Sequence, residues 1–547
     1  MSGFKTAPSL EAWAQMQARS LGSHRRRIWA WFVLVPIAFG ACSVRRGQDI
    51  NWDLLNYHLY NPYAYLHHRL HFDLAPAGLQ TYFNPFLDLA YFSALSVLTP
   101  KSVGFLIGLL QGLSFVVVYE IAGQVLGKER EGHALFLGMT GLLSVGFLSE
   151  VGTTFNDSLV GVISLASLWL AMPAVGYIDQ KSKQAVALIG VSGLLAGIGS
   201  GLKLTVSIYA LALFLGLFLV PIARNCRLAF LFGVSAVAGL LLSDGYWLYK
   251  MWREFGNPLF PQFNDIFHGE LARFDPVRDT RFVPRNLYEK LFYPILFTIN
   301  PLRVGELRYE QVSWVFAYVA LPALVVAAFI RASKKDPDRQ FSPKVVLFLA
   351  FFGIGYLLWL NIFGIYRYIV PLEILIPLLL FLFFDHFFKP EVARRRAVVF
   401  ISIITLTNLL IGEPDWGHTS WSDSVYRVEP SAISTPPEPA AIYLVGQPLA
   451  WIVPALDLHV PVIQLAPNMP VSKAYWQRAK AMVENRPGRR FVIFESTSPA
   501  LMSRGSTRLA KLGLAPDEGA CDRLIGYLGS EKREYRFCGV KPLEMTQ

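Results

Sequence analysis

Charge is what this chain has least of. Aspartate, glutamate, lysine and arginine make up 16% of its 547 residues, against about 25% in a typical soluble domain, which excludes an ordinary water-soluble globule. Cysteine is almost as scarce, with four in all, and no cluster of potential ligands has the spacing of a structural zinc site. No Gly-rich phosphate loop and no Gly-x-Ser-x-Gly elbow follows a strand. No internal repeat of the inverted kind seen in many transporters is legible either.

What is present is apolar. Hydrophobic residues account for 53% of the chain and the mean hydropathy is positive. They gather into runs of roughly 15 to 23 residues, most of them able to cross a bilayer core of about 30 Å. The expected fold is therefore an α-helical polytopic membrane protein. The net charge of +11 does not point to nucleic acid, because Lys and Arg sit in short clusters between the runs, as in cytoplasmic loops.

Arg25-Arg26-Arg27 precedes an apolar run from Ile28 with no clean cleavage site after it. This reads as a retained first span behind a cytoplasmic segment, 1–27, in which residues 10–21 form a surface-lying amphipathic helix. Further spans are expected at 103–125, 133–149, 158–176, 185–200, 204–222, 228–243, 312–331, 345–362, 368–387 and 397–412. The run 84–98 is short for a span and bracketed by Pro85 and Pro100. If it is skipped, every later Lys/Arg cluster falls in the cytoplasm. It is expected to lie in the outer interface, leaving about 11 transmembrane helices over 28–412, with outer loops at 45–102 and 244–311.

An odd number of spans puts residues 413–547 outside. Cys521 and Cys538 in that tail suit an extracytoplasmic disulfide, two free thiols being the alternative. Beyond a Pro-rich linker at 429–439, Ala441–Val445, Val460–Leu465 and Phe491–Glu495 read as strands, and 471–485 and 498–513 as helices. Alternation of the two predicts a small C-terminal α/β extracytoplasmic domain.

The polar residues on the expected outer face form a coherent set. The first loop brings Asp49, Asp53, Tyr57 and His58; a second turn ends at Asp157; a Gly-rich turn, 197–205, carries Lys203. The second large loop holds Asp244, Trp247, Arg253 and Asn257 of Gly256-Asn-Pro-Leu-Phe-Pro261, and Arg367 follows a late span. Charged side chains at membrane ends are often functional. Lys203 and Arg367 suit the phosphate of a lipid-linked substrate. Asp53 suits removal of a proton from an acceptor hydroxyl, with His58 as co-base, hydrogen-bonding partner or metal ligand. Asp157 has capping of a helix N-terminus as its structural alternative.

Here the sequence resembles the GT-C superfamily of integral-membrane glycosyltransferases that use polyprenyl-phosphate sugars. The resemblance rests on Trp52-Asp53-x-x-x-Tyr57-His58-Leu59, Asn84-Pro85-Phe86-Leu87, Asp157, Gly201-Leu202-Lys203, residues 256–261 and Arg367-Tyr368-x-x-Pro371. In layout it looks like protein O-mannosyltransferases and lipid A aminoarabinose transferases. The resemblance implies an inverting glycosyltransferase of a bacterial inner membrane, multi-pass, with a periplasmic tail. Its donor would be a polyprenyl-phosphate sugar and its acceptor a glycan, lipid or protein hydroxyl. It also implies Asp53 as general base; beside it, His58 and Asp157 are expected to orient the acceptor or the base, and Asp49, Tyr57 and Asn257 are expected as acceptor or loop residues. Several relatives carry adjacent acids where Asp53 is followed by Leu54, so no metal ligands are assigned, although a divalent metal remains open as a cofactor. The competing expectations are a carrier or flippase for a lipid-linked or anionic solute, with the Gly-rich 190–201 as its broken helix, and an O-antigen polymerase or ligase.

Overall fold

The computed structural model describes residues 29–127, 130–176, 182–220, 225–333, 341–429, 440–456, 459–495 and 498–543. The expected amphipathic helix at 10–21 and nearly all of the linker at 429–439 lie outside them. The chain is mainly helical. Six described helices are long and apolar enough to cross a membrane: Pro100–Leu126, Asp157–Gly176, Lys183–Leu202, Cys226–Phe255, Ser313–Arg331 and Pro343–Ile362. A seventh is the bent pair Tyr366–Glu373 and Ile376–Phe387.

This count is below eleven for local reasons. The run at 133–149 breaks between Glu131–Leu142 and Val145–Glu150, and that at 204–222 forms a short helix, Leu204–Leu219. The last, Pro390–Ile411, starts with Arg394-Arg395-Arg396 in its second turn. The run at 84–98 is a 12-residue helix, Phe86–Val97.

Two loop boundaries need correction. The helix that starts at Asn225 runs on to Phe255, because Trp247, Met251 and Phe255 keep an apolar face at helical spacing and are buried. Asp244, Trp247 and Arg253 therefore stand on a helix, not in the second loop. The Gly-rich 190–201 is also unbroken helix, within Lys183–Leu202. Its glycines serve close packing. A Cβ on Gly197 would lie 1.9 Å from the Ala236 carbonyl, and one on Gly239 would lie 2.1 Å from that of Leu194. The feature that favoured a carrier is thus a helix–helix contact.

The tail forms a six-stranded mixed sheet. Counting two short strands that precede it, the strands are β1 (Gln48–Asp49), β2 (His418–Thr419), β3 (Tyr426–Val428), β4 (Ala441–Val445), β5 (Val462–Gln464), β6 (Arg490–Phe494), β7 (Leu514–Leu528) and β8 (Glu531–Pro542). The sheet order is β3-β7-β8-β6-β4-β5, with β4 parallel to β5 and β6 and the rest antiparallel. The helices Lys473–Glu484 and Pro499–Ala510 complete it. The β7–β8 hairpin was not expected, since its exposed, charge-rich alternation carries little hydrophobic signal. Cys521 and Cys538 face each other across it and are bonded. Alkylation of the denatured protein is expected to label two cysteines, Cys42 and Cys226, before reduction and four after it; four labelled without reductant would contradict the bridge.

The tail does not stand apart from the membrane portion. Because side chains alternate along a strand, β4 sends Ile442 and Leu444 to one face and Ala441, Tyr443 and Val445 to the other. The first face shares a core with Leu54, Leu55, Tyr60 and Tyr63 of the first loop. The second shares one with Leu70, Leu74, Trp247 and Phe260. The free edge of β5 is covered by the first loop: Leu74 N–H donates to the Val462 carbonyl (2.9 Å) and Gln464 N–H to that of Leu74 (3.0 Å). A buried ion pair fastens this join. Arg69 Nε and Nη2 donate to Asp73 Oδ2 and Oδ1 at 2.7 and 2.8 Å, and Nη2 also reaches the Val460 carbonyl. Tyr60 Oη and Val462 N–H satisfy the remaining Asp73 lone pairs, each at 2.8 Å.

Candidate active site

Four of the side chains singled out in the sequence converge where the first loop meets the helix ends. Arg367 Nη1 donates to Asp53 Oδ2 at 3.3 Å and to Asp157 Oδ2 at 3.2 Å. Lys203 Nζ lies 2.5 Å from Asp157 Oδ1 and donates to the Phe155 carbonyl at 2.6 Å. Two acids and two bases thus alternate in one connected row, drawn from four separate segments.

Each member is held by local structure. Asp53 precedes a widened helical turn, Leu54–His58, in which Leu59 N–H reaches back five residues to the Leu54 carbonyl. Such turns recur at functional sites. Asp157 begins the Asp157–Gly176 helix after Asn156, whose φ of 66° turns the chain sharply. It does not cap that helix. Glu150 Oε2 accepts the Ser158 N–H at 2.9 Å instead, which leaves Asp157 to the cations.

Lys203 follows the C-terminus of Lys183–Leu202 in extended conformation. Asn84 fixes this corner by donating to the Gly201 and Ser243 carbonyls and to Asp244 Oδ1. Arg367 lies in the short turn Tyr366–Ile369, where Tyr366 Oη donates to Glu373 Oε1 at 2.7 Å and Tyr366 N–H to the Val304 carbonyl. Its guanidinium stacks 3.8 Å above the Phe155 ring and 5.0 Å from that of Trp416, an arrangement that suits a weakly hydrated cation.

Exposure separates the roles. The Asp157 side chain is only 3% exposed, while those of Asp53 and Lys203 reach 15% and 16%. Asp53 and Lys203 therefore stand at the open side of the row and Asp157 behind it.

The other candidates sit differently. His58 is not bonded to Asp53: its Nδ1 pairs with Asp88 Oδ1 at 2.7 Å, and Asn156 also donates to that carboxylate. Its Nε2 is buried with no hydrogen-bond partner among the described residues. Tyr57 is buried with its ring 4.0 Å from that of His58. Burial and the Asp53 and Asp88 carboxylates push its phenol well above the ordinary range.

Asp49 has no acceptor-facing oxygen. Both oxygens are taken by Asn51 and Thr154, joining the first loop to the 150–157 turn. Burial pushes its carboxyl up, opposed by His418 and those hydrogen bonds. Asn257 is buried and spends its amide on Gln262, Asn264 and Leu259 within its own loop. Of the two roles expected of it, acceptor contact or loop residue, these bonds fit the loop.

Sequence reasoning passed over Glu150, Phe155, Asp88 and Trp416. The first two lie in the turn, residues 150–157, that ends at Asp157. Asp88 sits inside an apolar run, where a lone acid is itself a signal. Trp416 comes from the aromatic stretch that opens the tail and is brought in by the pairing of β1 with β2. Among the described residues no three His, Cys, Asp or Glu side chains are grouped to hold a metal ion.

No protein-family model matches the sequence, and a search of curated proteins returns no match. Solved structures do match. ArnT from Cupriavidus metallidurans in the apo state aligns over 94% of this chain and 98% of its own, with a TM-score of 0.54 at 14% identity. The same protein bound to undecaprenyl phosphate aligns over 93% and 97%, with the same score and identity. The Archaeoglobus fulgidus oligosaccharyltransferase, in complex with Zn and sulfate, aligns over 84% of this chain and 68% of its own, with a TM-score of 0.45 at 14% identity. The chain thus has the fold of ArnT along nearly its whole length, as the GT-C resemblance implies.

Proposed function

We propose that a chain with this fold and this row of charges is a glycosyltransferase that moves a sugar from a polyprenyl phosphate to a hydroxyl acceptor. The reading places the row at the outer face of a bacterial inner membrane, with eleven crossings and a periplasmic tail. The paired cysteines and the distribution of Lys/Arg clusters support that placement. The observation that carries the function is the Asp53–Arg367–Asp157–Lys203 row itself, on a fold like that of a protein crystallised with undecaprenyl phosphate.

The chemistry follows from the order of charges. The donor enters from the bilayer, and its phosphate oxygens exchange with carboxylates for Lys203 and Arg367. Asp157 keeps both cations in register. Arg367, drawn toward the phosphate, releases Asp53. Asp53 then takes the proton from the acceptor hydroxyl as that oxygen attacks the anomeric carbon. The bond from that carbon to the phosphate oxygen breaks on the opposite side, its electrons leave with the lipid phosphate, and configuration inverts. His58, oriented by Asp88, supports Tyr57 and the turn that carries Asp53.

The test is release of polyprenyl phosphate from a panel of labelled polyprenyl-phosphate hexoses and pentoses by the purified protein, in the presence of envelope extracts as acceptor. Acceptor-dependent release is expected with at least one donor. Tight donor binding without release from any of them would refute transfer and favour a carrier.

A further inference from the structure

The charges of the tail are sorted in an unusual way. Between Lys473 and Lys511 the sequence holds nine lysines and arginines against two glutamates, Glu484 and Glu495. They lie on the helices Lys473–Glu484 and Pro499–Ala510 and the segments that join them to β6 and β7. The two helices are neighbours, since Arg508 and Lys511 lie 5.8 and 4.9 Å from the Trp476 ring. Both pack on the same face of the sheet, through Tyr475, Ala479, Val483 and Leu509. Their outer surface is left to exposed Lys473, Lys480, Arg504 and Lys511.

The β7–β8 hairpin makes the contrast. There Arg523 and Lys532 pair with Glu534, Arg533 with Glu531 and Arg536 with Glu518. Among the described residues, no such pair with a carboxylate is formed by Lys473, Lys480, Arg504 or Lys511. A concentrated field of one sign repels itself, and it draws in partners of opposite sign.

We propose that this helical layer is a docking surface for an anionic glycan, one bearing phosphate or carboxylate groups along its length. A bilayer surface is the other anionic partner within reach, and the layer is not built for it. Among the described residues from 440 to 543 the one large apolar side chain exposed is Leu543, just past the end of β8 and outside the two helices, so the layer has nothing to insert between lipids. The Leu287–Ile299 helix, by contrast, exposes Leu287, Tyr288, Leu291 and Ile299. The layer lies on the opposite face of the sheet from the first-loop residues 54–63, so it holds a length of glycan away from the reacting atoms. The choice of a glycan among polyanions rests on the transferase reading; the surface itself does not.

The experiment measures binding of fluorescent dextran sulfate, with neutral dextran as control, to the full chain in nanodiscs of neutral lipid. Wild type is expected to bind the sulfated polymer alone, more weakly as salt is raised. The Lys480→Glu/Arg504→Glu/Lys511→Glu variant should lose about tenfold or more in affinity, as expected when opposite charges are replaced by like ones. A hairpin variant of equal charge, Arg523→Glu/Lys532→Glu/Arg533→Glu, should lose less than about twofold, its sites being already paired with carboxylates. Gln in place of Glu at the three layer positions should give an intermediate loss, and it guards against misfolding by charge reversal.

Equal losses in the layer and hairpin variants would overturn the proposal, as would absence of binding by wild type. So would capture of the nanodiscs by anionic vesicles that dextran sulfate fails to displace, which would assign the layer to lipid. Binding lost while wild-type release of polyprenyl phosphate persists refutes the surface alone. Release absent with binding intact refutes the transferase reading alone.

Discussion

Asp53→Asn is expected to lower acceptor-dependent release of polyprenyl phosphate by about 10³-fold, within the span usually assigned to a positioned general base, while donor affinity changes little. Asn preserves shape and the contact to Arg367 through its carbonyl oxygen, but it has no basic oxygen to accept the acceptor's proton. Arg367 and Lys203, the groups assigned to the phosphate, are left in place. The measurement separates donor binding, by titration of a labelled polyprenyl phosphate, from single-turnover release. Wild-type turnover in the variant would remove Asp53 from the base role. A fall in binding as large as the fall in turnover would make it a structural partner of Arg367. Arg367→Lys should fail for a different reason: an ammonium has neither the flat face that stacks on Phe155 nor the paired N–H groups for a bidentate hold on phosphate, so donor binding and turnover should fall together.

Asp73→Ala is expected to destabilise the protein by about 3–5 kcal/mol, the usual cost of stripping one partner from a buried ion pair. Asp73 is 1% exposed and receives four donors, from Arg69, Tyr60 and Val462. The variant leaves a buried guanidinium without the carboxylate that faces it. Removing both charges in Arg69→Met/Asp73→Leu should cost less than Asp73→Ala alone, since no unpaired charge is then buried. Thermal unfolding of the detergent-solubilised chain reports the difference. Limited proteolysis should show the first loop and the tail becoming accessible together. If the two regions were cleaved independently, they would not share one core.

A helical membrane fold with a separate tail was legible in the apolar runs, and the four charges that meet were legible as outliers among them. Asp53, Asp157, Lys203 and Arg367 could be found because ionisable residues at the ends of apolar runs are few, and each stands out against its background. Their connectivity could not be read, since Arg367 bridges acids 314 and 210 positions away. For Asp49 and Asn257 the acceptor and loop roles stayed open together for one shared reason. A polar side chain that braces a buried turn has the same one-letter signature as one that meets a substrate, and only its hydrogen-bond partners tell them apart. Helix ends were misplaced where an amphipathic pattern continues past the apolar run, as at Trp247, Met251 and Phe255. In the tail, buried strands such as Ala441–Val445 were plain, whereas the polar hairpin from Leu514 to Pro542 was not.

The edge-strand contact between Leu74 and β5 has a consequence for how the protein is made. Its hydrogen bonds join residues almost 390 positions apart, with most of the membrane helices threaded between them. Contacts this remote in sequence form late and slowly. During synthesis the first loop must wait, its apolar residues and the open bonds near Leu74 uncovered, until the tail has been made and folded against it. Until then the turn that carries Asp53 lacks half its core, so a nascent chain holds the four charged groups without the rigid frame that aligns them. The four charges should therefore be aligned only after the tail has docked, and a quality-control protease would find its substrate in the interval before it.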